Sequence, residues 1–244
     1  MLFTEAGVGG GPQASVYVRS TSGASAVRLG DGRGVALSPD GQWALAADPT
    51  SFEGSSYIEL LPVGPGATRR IQQPGFAYNN ARWLPDAKRL VVRAREQNQL
   101  PRLYELNLDD GSMRAFTPEG IGISWSLSPD GRRVAAAAAS GIEVHSIGGD
   151  QDPQKVPAVS GPQVVVGWVD RGLLVYDGPD PFALGKVLLI DPVTGARQTW
   201  REILPRDPSG IMNMGALVVT PDGRSYAYWW TRAVSDLYLG SGLS

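Results

Sequence analysis

The sequence predicts an all-β fold, a β-propeller of four-stranded blades, and three observations predict it. A short turn recurs along the chain, apolar residues alternate beside it, and glycine and proline are spread evenly between strand-like runs. The turn reads Ser38-Pro39-Asp40-Gly41, Leu84-Pro85-Asp86-Ala87, Ser128-Pro129-Asp130-Gly131 and Thr220-Pro221-Asp222-Gly223, with a worn copy at Trp168-Val169-Asp170-Arg171-Gly172. The first three prolines stand 46 and 44 residues apart. The remaining gaps are about 41 and 51, and a period in the forties belongs to propeller blades. Proline presets φ for the turn, aspartate bonds its own backbone, and glycine takes the left-handed position.

Each blade element then follows in order. Before the turn, apolar residues alternate: Val35 and Leu37, Ala81 and Trp83, Trp125 and Leu127, Val166 and Trp168, Leu217 and Val219. This period of two marks a first strand whose large residues are expected to fill the space between blades. A second apolar strand is predicted at 43–47, 90–94, 134–138, 173–176 and 226–230. A third is predicted at 57–61, 102–108, 142–147, 187–191 and 237–239. A short polar fourth strand, as at 68–71 and 114–117, suits an outer edge that must not aggregate.

This register sets one domain of about five to six blades. A partial blade spans 1–33, blades follow at about 34–75, 76–120, 121–161 and 162–209, and a last partial unit spans 210–244. The first unit reads as strands two to four, at 1–5, 15–19 and 26–29, with no first strand. Either the two ends combine into one closing blade, or the chain is the latter part of a longer propeller. Met1 falling inside a blade favours the second.

Composition agrees and excludes several chemistries. Gly (31) and Pro (19) make up 50 of the 244 residues, well above the average share of roughly 12%, as many tight turns require. The formal net charge of −2 supplies no basic footprint for nucleic acid or for an anionic membrane. Cysteine is absent, which removes disulfides, thiolate nucleophiles and cysteine-held metals. The start, Met1-Leu2-Phe3-Thr4-Glu5, has neither the basic nor the apolar region of an export signal. No apolar run approaches the ~20 residues of a membrane helix. The expectation is a soluble chain with no membrane segment, its compartment left open.

The apolar-x-apolar-Ser-Pro-Asp-Gly pattern, followed by an apolar strand, resembles the TolB-type, WD-repeat-like propeller repeat along nearly the whole chain. That resemblance implies the fold and says little about activity. A narrower likeness is carried by Gly9-Gly10-Gly11-Pro12, Ala81-Arg82-Trp83-Leu84-Pro85-Asp86 and Ser235-Asp236-Leu237-Tyr238-Leu239. These segments resemble the C-terminal propeller of bacterial membrane-bound serine/threonine protein kinases. The likeness implies an extracytoplasmic sensor or interaction module. The glycine-rich nucleotide loop, His-Arg-Asp and Asp-Phe-Gly motifs of a kinase are absent from the chain.

The remaining polar residues are read against plain structural roles. Asp40, Asp86, Asp130 and Asp222 could ring a metal, but their Pro and Gly neighbours already explain them as hairpin closers at the blade periphery. His145 is the sole histidine and lies in a third strand, with no Gly-x-Ser-x-Gly elbow to serve, and one histidine without cysteine makes no zinc site. Asp109-Asp110-Gly111 reads as a β-turn, because the full calcium-loop pattern is missing. Gly7-Val8-Gly9-Gly10-Gly11-Pro12 reads as a hairpin loop, since no Lys-Ser/Thr follows. Asn79, Asn80 and Asn213 begin first strands without a matching set in every blade.

Three residues remain as binding candidates. Arg82 points away from the apolar face of its strand, toward the central channel or into a salt bridge across blades. Trp229 and Trp230 are adjacent, so they face opposite sides, and one of them is available for a binding surface. The expected function is a non-enzymatic protein- or ligand-binding propeller, a sensor or interaction region related to receptor-like kinases, with no catalytic residues, metal or cofactor. The alternatives are a TolB-like envelope accessory protein and a metal-dependent propeller hydrolase.

Overall fold

The computed structural model describes residues 1–7, 11–48, 54–157, 159, 163–177, 185–207 and 209–233. It is an all-β, six-bladed propeller without helices among these residues. The first blade holds β1 (Leu2–Gly7), β2 (Gly11–Val18) and β3 (Val27–Asp31). The second holds β4 (Arg33–Leu37), β5 (Trp43–Ala47), β6 (Ile58–Pro62) and β7 (Arg69–Ile71). The third holds β8 (Phe76–Trp83), β9 (Arg89–Glu96), β10 (Arg102–Asn107) and β11 (Met113–Ala115). Next come β12 (Trp125–Leu127), β13 (Arg133–Ala138), β14 (Gly141–Ser146) and β15 (Gln154–Lys155). The fifth blade is β16 (Val165–Val169), β17 (Gly172–Asp177), β18 (Gly185–Ile190) and β19 (Arg197–Ile203). The last pairs β20 (Ile211–Val219) with β21 (Tyr226–Arg232). Every pairing is antiparallel between neighbours in sequence, so each blade is a meander. The third strand expected at 237–239 lies outside the described residues.

The repeated turn is built as its residues dictate. Ser38 Oγ donates to Asp40 Oδ1 at 2.5 Å and accepts from Trp43 N, while Asp40 Oδ1 also accepts from Gln42 N. Ser128 with Asp130, and Thr220 with Asp222, repeat this pattern. The hydroxyl, as the largest cause, holds Asp40, Asp130 and Asp222 below the usual carboxylate value. The third blade has Leu84 where the others have a hydroxyl. There Asp86 accepts from Lys88 N and from both the backbone and the side chain of Arg89. Burial pushes Asp86 up, yet these donors outweigh it and its pKa is lowered. Leu84, freed from the turn, is 1% exposed in the core.

The core is a series of apolar seams between blades. Val16, Ala44, Ala46 and Leu61 join the first two blades, and larger clusters around Leu90, Trp125, Trp168 and Leu174 join the next four pairs. Second strands therefore meet a neighbour on both faces, which is why they read as continuous apolar runs. In β9, Leu90, Val92 and Ala94 belong to the seam with the preceding blade, whereas Val91 belongs to the seam with the following one. Arg93 shares the Val91 face. It is buried, and it donates to Ile121 O and Gly122 O at the approach to β12. The expected filling of seams by first strands holds for Trp83, Trp125, Trp168 and Leu217, whereas Leu37, also at the channel, is 36% exposed.

Candidate functional site: the neck of the channel

The turn prolines face the channel, while none of Asp40, Asp86, Asp130 and Asp222 lines it. Pro39, Pro85, Pro129 and Pro221 line one end of the central channel, because each turn links an innermost strand to its neighbour. Adjacent turns touch there. Gly131, at φ +69°, sits so close to Pro85 that a Cβ would lie 2.4 Å from its Cδ, so this position needs glycine for space as well as for φ. Asp170 N likewise donates to Pro221 O between the last two blades. The turn carboxylates bond within their own hairpins, and among the described residues no group of three or more His, Cys, Asp or Glu side chains is placed to hold a metal.

Behind the prolines the channel is an opening of about 530 Å³ walled largely by apolar side chains, among them Leu37, Trp83, Leu127, Trp168, Leu217 and Val219. At its far end lies a polar cavity of about 330 Å³, lined by Arg33, Asp48, Ser55, Asn79, Asn80 and Arg82 among others. Arg82 lines both spaces. It therefore stands at the neck, the place where the two spaces meet, and is partly exposed there.

The residues around Arg82 hold it in one pose. Its Nη1 donates to Asn80 Oδ1 at 2.7 Å and to Ala81 O at 3.0 Å. Asn80 Oδ1 also accepts from Ala81 N at 2.8 Å. Both neighbours are donors, so the amide must present its oxygen to them. The guanidinium carbon lies 5.5 Å from the ring centre of Trp125 in the next blade, within cation–π range. Burial lowers the Arg82 pKa, and among the described residues it has no carboxylate partner. The alternative of a salt bridge across blades is not what these residues form. Trp125 was missed as a site residue because its alternation reads as core, which it also is.

The other candidates fall elsewhere. Trp230 extends a row of rings with Tyr228, Tyr226 and Trp200, at centroid spacings of 5.6, 6.2 and 5.7 Å. Trp229 lies on the opposite face over Gly215, where a Cβ would come within 2.1 Å of the indole. Both remain substantially exposed, at 48% for Trp229 and 43% for Trp230. Neither lines the channel or the cavity that Arg82 borders. Asn79 and Asn80 line the polar cavity, while the side chain of Asn213 lies outside the described residues, as do Gly9, Gly10 and the 235–239 segment. Asp110 closes a plain turn by accepting from Ser112 N and Oγ.

His145 is buried at 2% exposure on β14, and its Nε2 has no hydrogen-bond partner. Glu143 Oε2 stands 3.6 Å away, and its charge only partly offsets the burial that lowers the imidazole pKa below the usual 6.5. Between the lowered folded value and the unfolded value the unfolded chain binds the extra proton, so acidification favours unfolding. Stability is expected to fall as pH drops below about 6.5, by at most about 1.4 kcal/mol per unit while that window lasts. Chemical denaturation at pH 7.5 and 5.5 checks this. His145→Phe is expected to flatten that part of the profile, and an unchanged slope in the variant would assign it to the carboxylates.

The molecule is thus a six-bladed β-propeller in which one arginine borders both the channel and a polar cavity. No protein-family model matches the chain, and no curated protein matches it. Solved structures do, and TolB-type propellers are among them. TolB from Acinetobacter baumannii is 16% identical with a TM-score of 0.64, over 89% of this chain and 60% of that one. A putative TolB from Agrobacterium tumefaciens is 20% identical with a TM-score of 0.56, over 76% of this chain and 73% of that one. An oligogalacturonate lyase in complex with manganese is 16% identical with a TM-score of 0.62, over 86% of this chain and 62% of that one. The chain spans about three-fifths of the Acinetobacter protein. At these identities the likeness is one of fold, and the same fold serves binding proteins and enzymes. Among the described residues no helix is long and apolar enough to cross a membrane.

Proposed function

We propose that this chain is a non-enzymatic, TolB-like binding propeller that receives its partner or ligand at the central channel. The observation that carries the reading is the channel itself, an apolar opening that leads to a fixed, half-buried guanidinium. Concave apolar walls with a few placed polar groups are the usual form of a ligand site. The two TolB propellers among the structural neighbours support this reading over the kinase-linked one. Of the three segments that carry the kinase likeness, only 81–86 is wholly described, and there it forms the end of β8 and its turn, a role shared with the Pro-Asp turns of three other blades.

The chain has no cysteine, so a single one can be introduced and labelled uniquely. A photocrosslinker at Leu127→Cys, in the channel, is expected to capture a partner from an envelope extract of the source cells. One at Arg197→Cys, on the outer strand β19, is expected not to. Equal capture from both positions would sink the channel as the binding surface. Turnover of ester, peptide or uronate substrates by the purified chain would sink the non-enzymatic reading.

A further inference from the structure

We propose that Arg82 anchors a carboxylate-binding site, so that the group received at the neck of the channel is a monoanionic carboxylate. The inference rests on the binding reading above and names the chemistry of its ligand.

The argument begins with cost. A guanidinium held out of bulk water without a carboxylate is unfavourable by several kcal/mol unless other groups compensate. Asn80, Ala81 O and the Trp125 face supply part of that compensation. They engage only one nitrogen and one face. With Nη1 committed to Asn80 and Ala81, the Nε–H and the Nη2 protons have no protein acceptor among the described residues. That edge is the fork which takes both oxygens of a carboxylate in parallel hydrogen bonds.

Three features prepare the fork for a ligand. The bonds to Asn80 and Ala81 fix the plane of the guanidinium before anything binds, which lowers the ordering cost of association. The Trp125 ring, contributed by the next blade, closes one face and leaves the edge open. Among the described residues the cavity it borders is lined by Arg33, Arg82 and Asp48, and Arg33 and Asp48 have contacts of their own. The single open edge of Arg82 balances the charge of a monoanion and would leave a dianion such as phosphate half-paired.

The test uses the intact chain and sodium acetate as the probe. Arginine Nε–H resonances are followed by nitrogen-15 NMR at constant ionic strength, with Arg82 assigned by the signal lost in Arg82→Lys. Acetate is expected to move the Arg82 signal saturably, with a midpoint on the order of millimolar for a single small contact. Chloride is expected to leave it in place, and inorganic phosphate to act more weakly than acetate. Phosphate binding as tightly as acetate, or acetate moving all arginine signals alike without saturation, would overturn the assignment. Thermal stability of Arg82→Met supplies an independent readout. A site residue carrying an uncompensated charge is expected to give a variant at least as stable as the parent. A lower Tm together with no acetate response would make Arg82 a brace and not an anchor. Acetate binding without channel crosslinking would remove the proposed function and leave the carboxylate site standing; the reverse result would do the opposite.

Discussion

Arg93→Leu is expected to destabilise the protein by about 3–5 kcal/mol, since it removes charge-assisted bonds and strands two buried carbonyls. Arg93 is 7% exposed on β9, and burial alone lowers its pKa. It has no carboxylate partner among the described residues. Instead it makes three hydrogen bonds across the seam: Nε to Ile121 O at 3.1 Å and to Gly122 O at 3.0 Å, and Nη2 to Ile121 O at 2.9 Å. Those carbonyls belong to the approach to β12, where Gly122 N donates to Ala137 O of β13 and Ser124 O accepts from Ala137 N. Arg93 therefore ties the start of the fourth blade to the third. Denaturant unfolding checks the expectation, as does a fall in Tm of about 10 °C. Arg93→Lys keeps the charge but lacks the fork, and is expected to fall between the parent and the leucine variant. A leucine variant within about 1 kcal/mol of the parent would mean that water satisfies both carbonyls.

Trp125→Ala carries the second large effect, again about 3–5 kcal/mol, as for other buried aromatic truncations. Trp125 is 4% exposed and belongs to the seam cluster with Leu84, Val91, Leu103, Ile121 and Val134. Its ring also underlies Arg82, so the alanine variant loses a core side chain and the floor of the candidate site together. Trp125→Phe separates these roles. It keeps an aromatic face, removes a buried indole N–H that has no acceptor, and is expected to cost less than about 1.5 kcal/mol. Urea unfolding of both variants decides the matter. A phenylalanine variant as unstable as the alanine one would show that the indole is matched to its seam in shape, beyond what ring area explains.

Much of the fold was legible because its signals are local. Pro39, Asp40 and Gly41 set their own dihedrals, and Ser38 and Asp40 bond within one hairpin, so the turn needs no distant partner. The continuous apolar run in β9 and the alternation in β8 follow from strands covered on two faces or facing a channel. The same local logic explains Asp86, which takes over the backbone N–H that the missing hydroxyl would have bound. Arg82 could be singled out by its place between Ala81 and Trp83, but its role could not. Leu37 occupies the position equivalent to Trp83 and lies exposed at the channel, a difference that the shared turn pattern does not encode.

By itself the sequence determined that this chain is a propeller, where its turns fall, and that it lacks cysteine chemistry and a kinase motif set. Only the tertiary structure decided which end of the channel the turns occupy, that Trp125 underlies Arg82, and that no carboxylate among the described residues pairs with Arg82. The physical reason is range. Backbone dihedrals and strand periodicity act over a few residues, whereas the neck of the channel is made by side chains more than forty residues apart, brought together when one blade turns against the next.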